Sequence, residues 1–109
     1  MEAVKITKSL DYKLVITKGT RINSNSFNLQ YLNSKTNSIR FGITASKRIG
    51  NAVRRNYAKR RIRALIHKLL LNNKILIKDY VIMSKKGILF KKFDNLYEEL
   101  KLTLNKIDK

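Results

Sequence analysis

The chain has 109 residues, of which 43% are hydrophobic, and it carries 25 Lys and Arg against 7 Asp and Glu, for a formal charge of +18. This length predicts one domain, residues 1–109, with a single core. The absence of cysteine excludes disulfides, thiolate metal ligands and thiol nucleophiles. Because a small domain needs a net charge of only about 2–8 for solubility, the excess predicts a polyanionic partner: nucleic-acid phosphate first and an anionic membrane second.

The N-terminal sequence MEAVKITKSLDYK lacks the continuous apolar run of a secretory signal. No window approaches the roughly 20 apolar residues that a membrane span needs. We therefore expect a cytoplasmic protein that does not enter a membrane.

The first predicted element is a helix with Ser9 as its N-cap and Asp11 in its first turn. It ends at Lys18, with Gly19 as the residue after the helix. The polar segment that follows is predicted to hold a short edge strand around Arg21.

A strand is predicted next, because Phe27, Leu29 and Tyr31 alternate with Asn28 and Gln30. The polar residues 33–38 then indicate a turn. They lead into a second strand over 39–45, which we expect to be the antiparallel partner of the first.

A long basic helix is predicted to follow the turn at residues 49–51 and to extend to Leu71. Arg55, Lys59 and Arg63 recur at i, i+4 and i+8 on its polar side, although like charges at this spacing repel by roughly 0.2–0.5 kcal/mol per pair. No acidic residue occurs between Asp11 and Asp79, so the face is predicted to bind a polyanion. The predicted buried stripe is Ala58, Ile62, Leu65, Ile66 and Leu69.

After a break at residues 72–73, the segment 79–85 predicts a short apolar strand, central in the sheet. A turn at Lys86-Gly87 precedes a final amphipathic helix over 93–107, with Asp94 as its N-cap. The predicted order is α-β-β-β-α-β-α. The fold class is α+β, with helices packed on one sheet.

Catalytic groups are sparse. His67 is the only histidine, and we interpret it as structural or surface-exposed. The acids are scattered without a D-x-D pair, whereas two-metal phosphoryl transfer needs clustered carboxylates. Gly50 opens a helix whose N-terminus is a weak anion site, but the pattern of a nucleotide-binding P-loop is absent. We therefore expect no catalytic residue and no metal site in this chain.

The segment from Arg40 to Arg63 closely resembles the signature of the protein subunit of bacterial ribonuclease P. That signature runs R-x-G and then K-[KR]-x-G-x-A-V-x-R-N-x-x-K-R-x-x-R. The matching residues are Arg40, Gly42, Lys47, Arg48, Gly50, Ala52, Val53, Arg55, Asn56, Lys59, Arg60 and Arg63. Shorter features agree elsewhere, namely Asp11-Tyr12, Lys18-Gly19, Phe27-Asn28-Leu29 and Asp79-Tyr80, so the resemblance covers essentially the whole chain.

The resemblance implies a small two-layer α+β sandwich, similar to the second domain of a ribosomal small-subunit protein. It also implies a left-handed β-α-β crossover around the basic helix, against the usual right-handed rule. In function, it implies a non-catalytic subunit of a ribonucleoprotein that removes the 5′ leader of precursor tRNA. The implied partners are the catalytic RNA and precursor tRNA, without a small-molecule substrate. The implied cofactor is magnesium, held by the RNA, and the protein would strengthen substrate binding and lower the magnesium requirement.

Two sets of binding residues follow from the resemblance. The set expected to contact the catalytic RNA is Lys47, Arg48, Arg54, Arg55, Asn56, Lys59, Arg60 and Arg63. The set expected to line a groove for the single-stranded leader is Tyr12, Ile16, Asn28, Gln30, Ser84 and Lys86. Spacing independently places Tyr12 with Ile16 on one helix face, and Asn28 with Gln30 on one strand face.

Two features depart from the family pattern. Tyr57 stands where arginine often follows R-N, so either Arg54 or Arg61 compensates or Tyr57 stacks on RNA. Ile16 and Gln30 stand where the leader groove often carries aromatic residues. The alternatives are a ribosomal protein or general RNA chaperone of similar fold, a membrane-surface protein, and a self-sufficient nuclease, which the scattered acids argue against.

Overall fold

The computed structural model describes residues 3–73 and 75–107. These residues form five strands, β1 Ala3–Lys5, β2 Thr20–Asn23, β3 Phe27–Asn33, β4 Ile39–Ala45 and β5 Lys78–Ser84. They also form three α-helices, α1 Ser9–Lys18, α2 Ala52–Asn72 and α3 Phe93–Asn105. Short 3-10 turns at Lys47–Ile49 and Lys86–Leu89 precede α2 and α3.

The five strands form one mixed sheet in the order β1-β4-β5-β3-β2. The predicted central position of β5 is confirmed, and β2 is the predicted edge strand. The predicted antiparallel pairing of β3 with β4 is wrong: β5 lies between them, antiparallel to β3 and parallel to β4. The most apolar strand takes the central position, with two strands on each side of it, which keeps its side chains from water. Strand β1 was not predicted; it is parallel to β4 at the opposite edge.

Helix α2 connects the adjacent parallel strands β4 and β5. The unit is therefore the β-α-β crossover that the resemblance implies, and its left hand stays a prediction. Helices α2 and α3 cover one face of the sheet, and α1 packs on the other face against β3 and β5. The α+β class is confirmed.

The larger core lies between the sheet and the pair α2 and α3. All residues of the predicted stripe on α2 are buried there: Ala58, Ile62, Leu65, Ile66 and Leu69. A smaller cluster under α1 joins Val15 to Val81 and Ile6. Successive residues of a strand point to opposite faces, so Tyr80 and Ile82 of β5 belong to the larger core and Val81 to the smaller one.

The predicted helix caps at Ser9 and Asp94 are wrong. Each is already helical, and the N-caps are Lys8 and Lys92, neither with a side-chain capping bond. Acidic side chains in the first turn still favour these helices through the helix dipole. The last helix ends at Asn105 rather than at the predicted residue 107.

Glu99 of α3 fastens this helix to the loop between β2 and β3. Its carboxylate accepts bonds from the Ser24 hydroxyl and from both the amide and the hydroxyl of Ser26. Lys91 adds a fourth bond of 3.1 Å. Desolvation, the largest single effect, raises the pKa of Glu99, but these hydrogen bonds together hold it below its ordinary value.

Candidate nucleic-acid interface

The start of α2 is fixed by local hydrogen bonds from backbone amides to side chains. The Ser46 hydroxyl accepts from the amide of Arg48 at 3.1 Å, which caps the 3-10 turn. Gly50 has φ of 137°, a conformation that disfavours a side chain. Asn51 then caps α2, its Oδ1 accepting from the amide of Arg54 at 3.0 Å. These contacts set the direction in which the basic residues of the turn and helix point.

The structure brings together on this turn and helix all the residues predicted to contact the catalytic RNA. Two of them are partly buried, Arg55 and Lys59, and Arg55 donates to the carbonyl of Gly50 at 3.0 Å. The exposed members are Lys47, Arg48, Arg54, Asn56, Arg60 and Arg63. We refer to these eight residues as the basic face.

Within residues 3–73 and 75–107, no carboxylate forms an ion pair with the basic face. The cations that pair are Lys35, Arg40, Lys68, Lys91 and Lys101. The charge of the basic face is therefore uncompensated inside the described protein, which leaves it available to an external anion.

Four residues of the second predicted set lie where α1 crosses the sheet. The ring of Tyr12 lies on Gly42 so closely that a Cβ there would be 3.0 Å from Cε2. Gln30 donates to the carbonyl of Ile16 at 2.9 Å, so its amide nitrogen ties α1 to β3. Asn28 is 7% exposed, and its Oδ1 has no hydrogen-bond partner within the described part of the chain. Tyr12 and Ile16 of α1 therefore lie on the same side of the sheet as Asn28 and Gln30 of β3, and we refer to this region as the α1 groove.

Ser84 does not belong to the α1 groove. Its side chain is buried, 1% exposed. Ser84 lies on the same face of β5 as Tyr80 and Ile82, which is the α2 side of the sheet. The neighbour on the groove side is Met83, which is half-buried and lies opposite Asn28. Strand parity would have selected Met83 from the sequence. Lys86 is exposed in the 3-10 turn just after β5, and this turn packs against α2.

Several signature residues build the frame and do not reach the surface. Arg40 of β4 donates to Asp79 of β5 at 2.8 and 2.6 Å and to Asp11 of α1 at 3.1 Å. Arg40 and Lys35 lower the pKa of Asp11, the hydrogen bond from Arg40 having the largest effect. Tyr80 is buried and stacks on Phe41, with ring centroids 5.0 Å apart. The arginine therefore holds α1 over the sheet and so shapes the α1 groove.

Arg54 and Arg61 are the two arginines suggested to compensate for Tyr57, and the structure shows what Arg61 contacts. Its guanidinium donates to the carbonyls of Leu89 at 3.4 Å and Lys91 at 2.6 Å, so it is engaged within the protein. It also lies 5.6 Å from the centre of the Tyr57 ring. Arg54 is the exposed one of the two arginines suggested as substitutes.

In the part of the chain that the structure describes, no three His, Cys, Asp or Glu side chains are grouped as metal ligands would be. His67 is exposed on α2. None of the described helices combines the length and apolar character of a transmembrane helix.

Fold and surface together define a small basic α+β protein that presents an uncompensated cationic helix. The Ribonuclease P family profile matches residues 1–108. The ribonuclease P protein component of Erythrobacter litoralis is 36% identical over 101 residues, covering 93% of this chain and 83% of that protein. That of Streptococcus agalactiae is 33% identical over 86 residues, covering 77% and 75%.

Solved structures of ribonuclease P proteins have a similar fold. The ribonuclease P protein of Staphylococcus aureus has a TM-score of 0.79 at 28% identity, over 95% of this chain and 94% of that one. That of Thermotoga maritima, at 22% identity, matches in fold with a TM-score of 0.82 over 96% and 98% of the two chains. The chain belongs to the ribonuclease P protein family and is a protein subunit of this tRNA-processing ribonucleoprotein.

Proposed function

We propose that the basic face binds the catalytic RNA of ribonuclease P while the α1 groove binds the single-stranded 5′ leader of precursor tRNA. The observation that carries this proposal is the uncompensated charge of the basic face. Arginine and lysine bind phosphate oxygens strongly, and Asn56 can bond a base edge or a 2′-hydroxyl. The protein thereby strengthens substrate binding and lowers the magnesium concentration that the ribonucleoprotein needs.

The described carboxylates do not fit a magnesium site, because each is already ion-paired with lysine or arginine. Magnesium prefers oxygen ligands with retained waters. We therefore assign the metal of the hydrolytic reaction to the RNA. The contribution of this chain is to neutralise phosphates and to hold the leader.

Reconstitution tests the proposal. The chain, a bacterial ribonuclease P RNA, and both together are incubated at low magnesium with a precursor tRNA that carries a 5′ leader. Cleavage at the mature 5′ end only in the mixture is expected. Tight RNA binding without any stimulation of cleavage would contradict it and favour a ribosomal protein or RNA chaperone.

A matched pair of variants locates the effect. Arg60→Ala/Arg63→Ala removes two exposed charges of the basic face, whereas Arg21→Ala/Lys106→Ala removes two exposed charges elsewhere. The first pair should raise the magnesium requirement and lower the slope of log K against log salt by about 1 for each phosphate that is no longer neutralised. The second pair should leave both near the wild-type values. Equal behaviour of the two variants would refute the role of the basic face.

A further inference from the structure

Phe90 is the most exposed large apolar side chain that the structure describes, at 77%. It lies between the 3-10 turn Lys86–Leu89 and the start of α3. Scattered exposed apolar residues are common on protein surfaces. Phe90 differs from such residues because its backbone is anchored and because a second aromatic residue and several cations lie nearby.

The backbone on both sides of Phe90 is anchored. Arg61 of α2 donates to the carbonyl before it, on Leu89, and to the carbonyl after it, on Lys91. The amides of Phe90 and Lys91 both donate to Gly87, at 3.3 and 3.2 Å. An aromatic ring projected from a fixed backbone loses little conformational freedom on binding.

A second aromatic residue shares the same arginine. Tyr57 is 41% exposed, and its ring lies 5.6 Å from the guanidinium of Arg61 and 6.0 Å from that of Arg60. Arg61 therefore contacts the ring of Tyr57 and the backbone on both sides of Phe90.

Exposed cations lie on the same elements as the two rings. Arg60 is exposed beside Tyr57, and Lys86 and Lys92 are exposed on the segment that carries Phe90. A protein partner would have to bury several of these charges, which is costly without matching acids. An RNA strand places its phosphates on the cations and offers a base to the rings.

We propose that Phe90 and Tyr57 form a platform on which an unpaired RNA base stacks, with Arg61 contacting the Tyr57 ring and the backbone beside Phe90. Arg60, Lys86 and Lys92 would contact the neighbouring phosphates. This inference rests on the proposed function, since it assumes that the chain binds RNA. It adds a contact surface on the α2 and α3 side of the sheet, opposite the α1 groove.

The chain contains no tryptophan, so Phe90→Trp places a single fluorophore on the platform. Leu102→Trp is the matched control, because Leu102 is 62% exposed on α3 and lies one turn after the exposed Glu98. Each variant is titrated with ribonuclease P RNA alone and with precursor tRNA alone. Quenching by either RNA in Phe90→Trp, and not in Leu102→Trp, supports the platform and identifies the source of the base. No quenching by either RNA overturns it.

Affinity provides an independent readout. Phe90→Ala should weaken binding of the RNA that quenches by about tenfold, since stacking contributes about 1–3 kcal/mol per base. Leu102→Ala should bind as the wild type does, and both variants should keep the wild-type melting temperature. If Phe90→Ala binds RNA with wild-type affinity and the wild-type protein stimulates cleavage, the platform is refuted and the proposed function stands. Quenching of Phe90→Trp, combined with no stimulation of cleavage by the wild-type protein, supports the platform and refutes the proposed function.

Discussion

Arg40→Met removes the one guanidinium that joins β4, β5 and α1. The side chain of Asp79 is only 3% exposed, and Arg40 is its ion-pair partner in the described part of the chain. Asp11 keeps Lys35 at 3.2 Å, but the lysine side chain of that pair is 53% exposed. The substitution therefore leaves Asp79 as a buried charge without a cation, and it removes one of the contacts that hold α1 on the sheet.

Leaving a buried charge uncompensated costs about 3–5 kcal/mol. The total stability of a domain is about 5–15 kcal/mol, so Arg40→Met removes a large fraction of it. A fall in melting temperature of about 4–8 °C per kcal/mol is expected for a domain of this size. In contrast, Lys35→Met breaks only the exposed pair and should cost much less, because solvent screens an exposed ion pair.

Urea unfolding followed by far-ultraviolet circular dichroism measures these free energies. The double variant Arg40→Met/Asp79→Leu separates the buried charge from the loss of packing, because replacing both partners of a buried pair by apolar residues is often neutral. It should recover most of the stability that Arg40→Met removes. A destabilisation below about 1 kcal/mol in Arg40→Met, or a double variant as unstable as the single one, would refute the reasoning.

Two further outcomes follow from the contacts of Glu99 and Gly42. The folded state holds the pKa of Glu99 below its ordinary value of 4.5, so the unfolded chain takes up the proton first and stability falls as the pH drops below about 4.5. Glu99→Gln should be less stable at pH 7, with the difference shrinking toward pH 3 in thermal melts; a constant difference would contradict this. Gly42→Ala places a Cβ 3.0 Å from the Tyr12 ring. Because the ring must move, we expect a destabilisation of about 1–3 kcal/mol. Fluorescence anisotropy should show weaker binding of leader RNA and unchanged binding of the catalytic RNA.

Local patterns predicted the elements well because each pattern has a local cause. The 3.6-residue period of α2 identified its buried side, from Ala58 to Leu69. The strand over 39–45 has the predicted bounds, and β5 is displaced by one residue. Turn chemistry at Gly50 and Asn51 marked the start of α2 as the structure has it.

The arrangement of the strands could not be predicted in the same way. A period of two identifies a strand and its faces, but it carries no information about which strand lies beside it. Strand β1 has only three residues, too few for any period. The frame role of Arg40 was equally hidden, because it depends on Asp79, 39 residues away, and on Asp11 in another element.

The site was predictable where it lies on one helix and less so where it depends on the sheet. The basic face occupies a continuous segment, so its residues stay together however the sheet is arranged. The resemblance assigns Ser84 to the leader groove. Its burial on the α2 side follows from the alternation along β5, in which Ile82 faces α2 and Val81 faces α1. Phe90 was missed because its prominence depends on Arg61, 29 positions earlier in the chain, which anchors the backbone on both sides of it.

The distribution of ion pairs explains how so basic a chain folds and still presents charge. Three of the described carboxylates join elements: Asp79 and Asp11 accept bonds from Arg40, and Glu99 accepts bonds from the loop after β2. The remaining cations of α2 are kept close to one another by the apolar stripe beneath them, at the cost of mutual repulsion. Bound phosphates would relieve that repulsion, so on the proposed function RNA binding and folding would stabilise each other. The charges that repel one another in the free protein are the ones proposed to contact RNA.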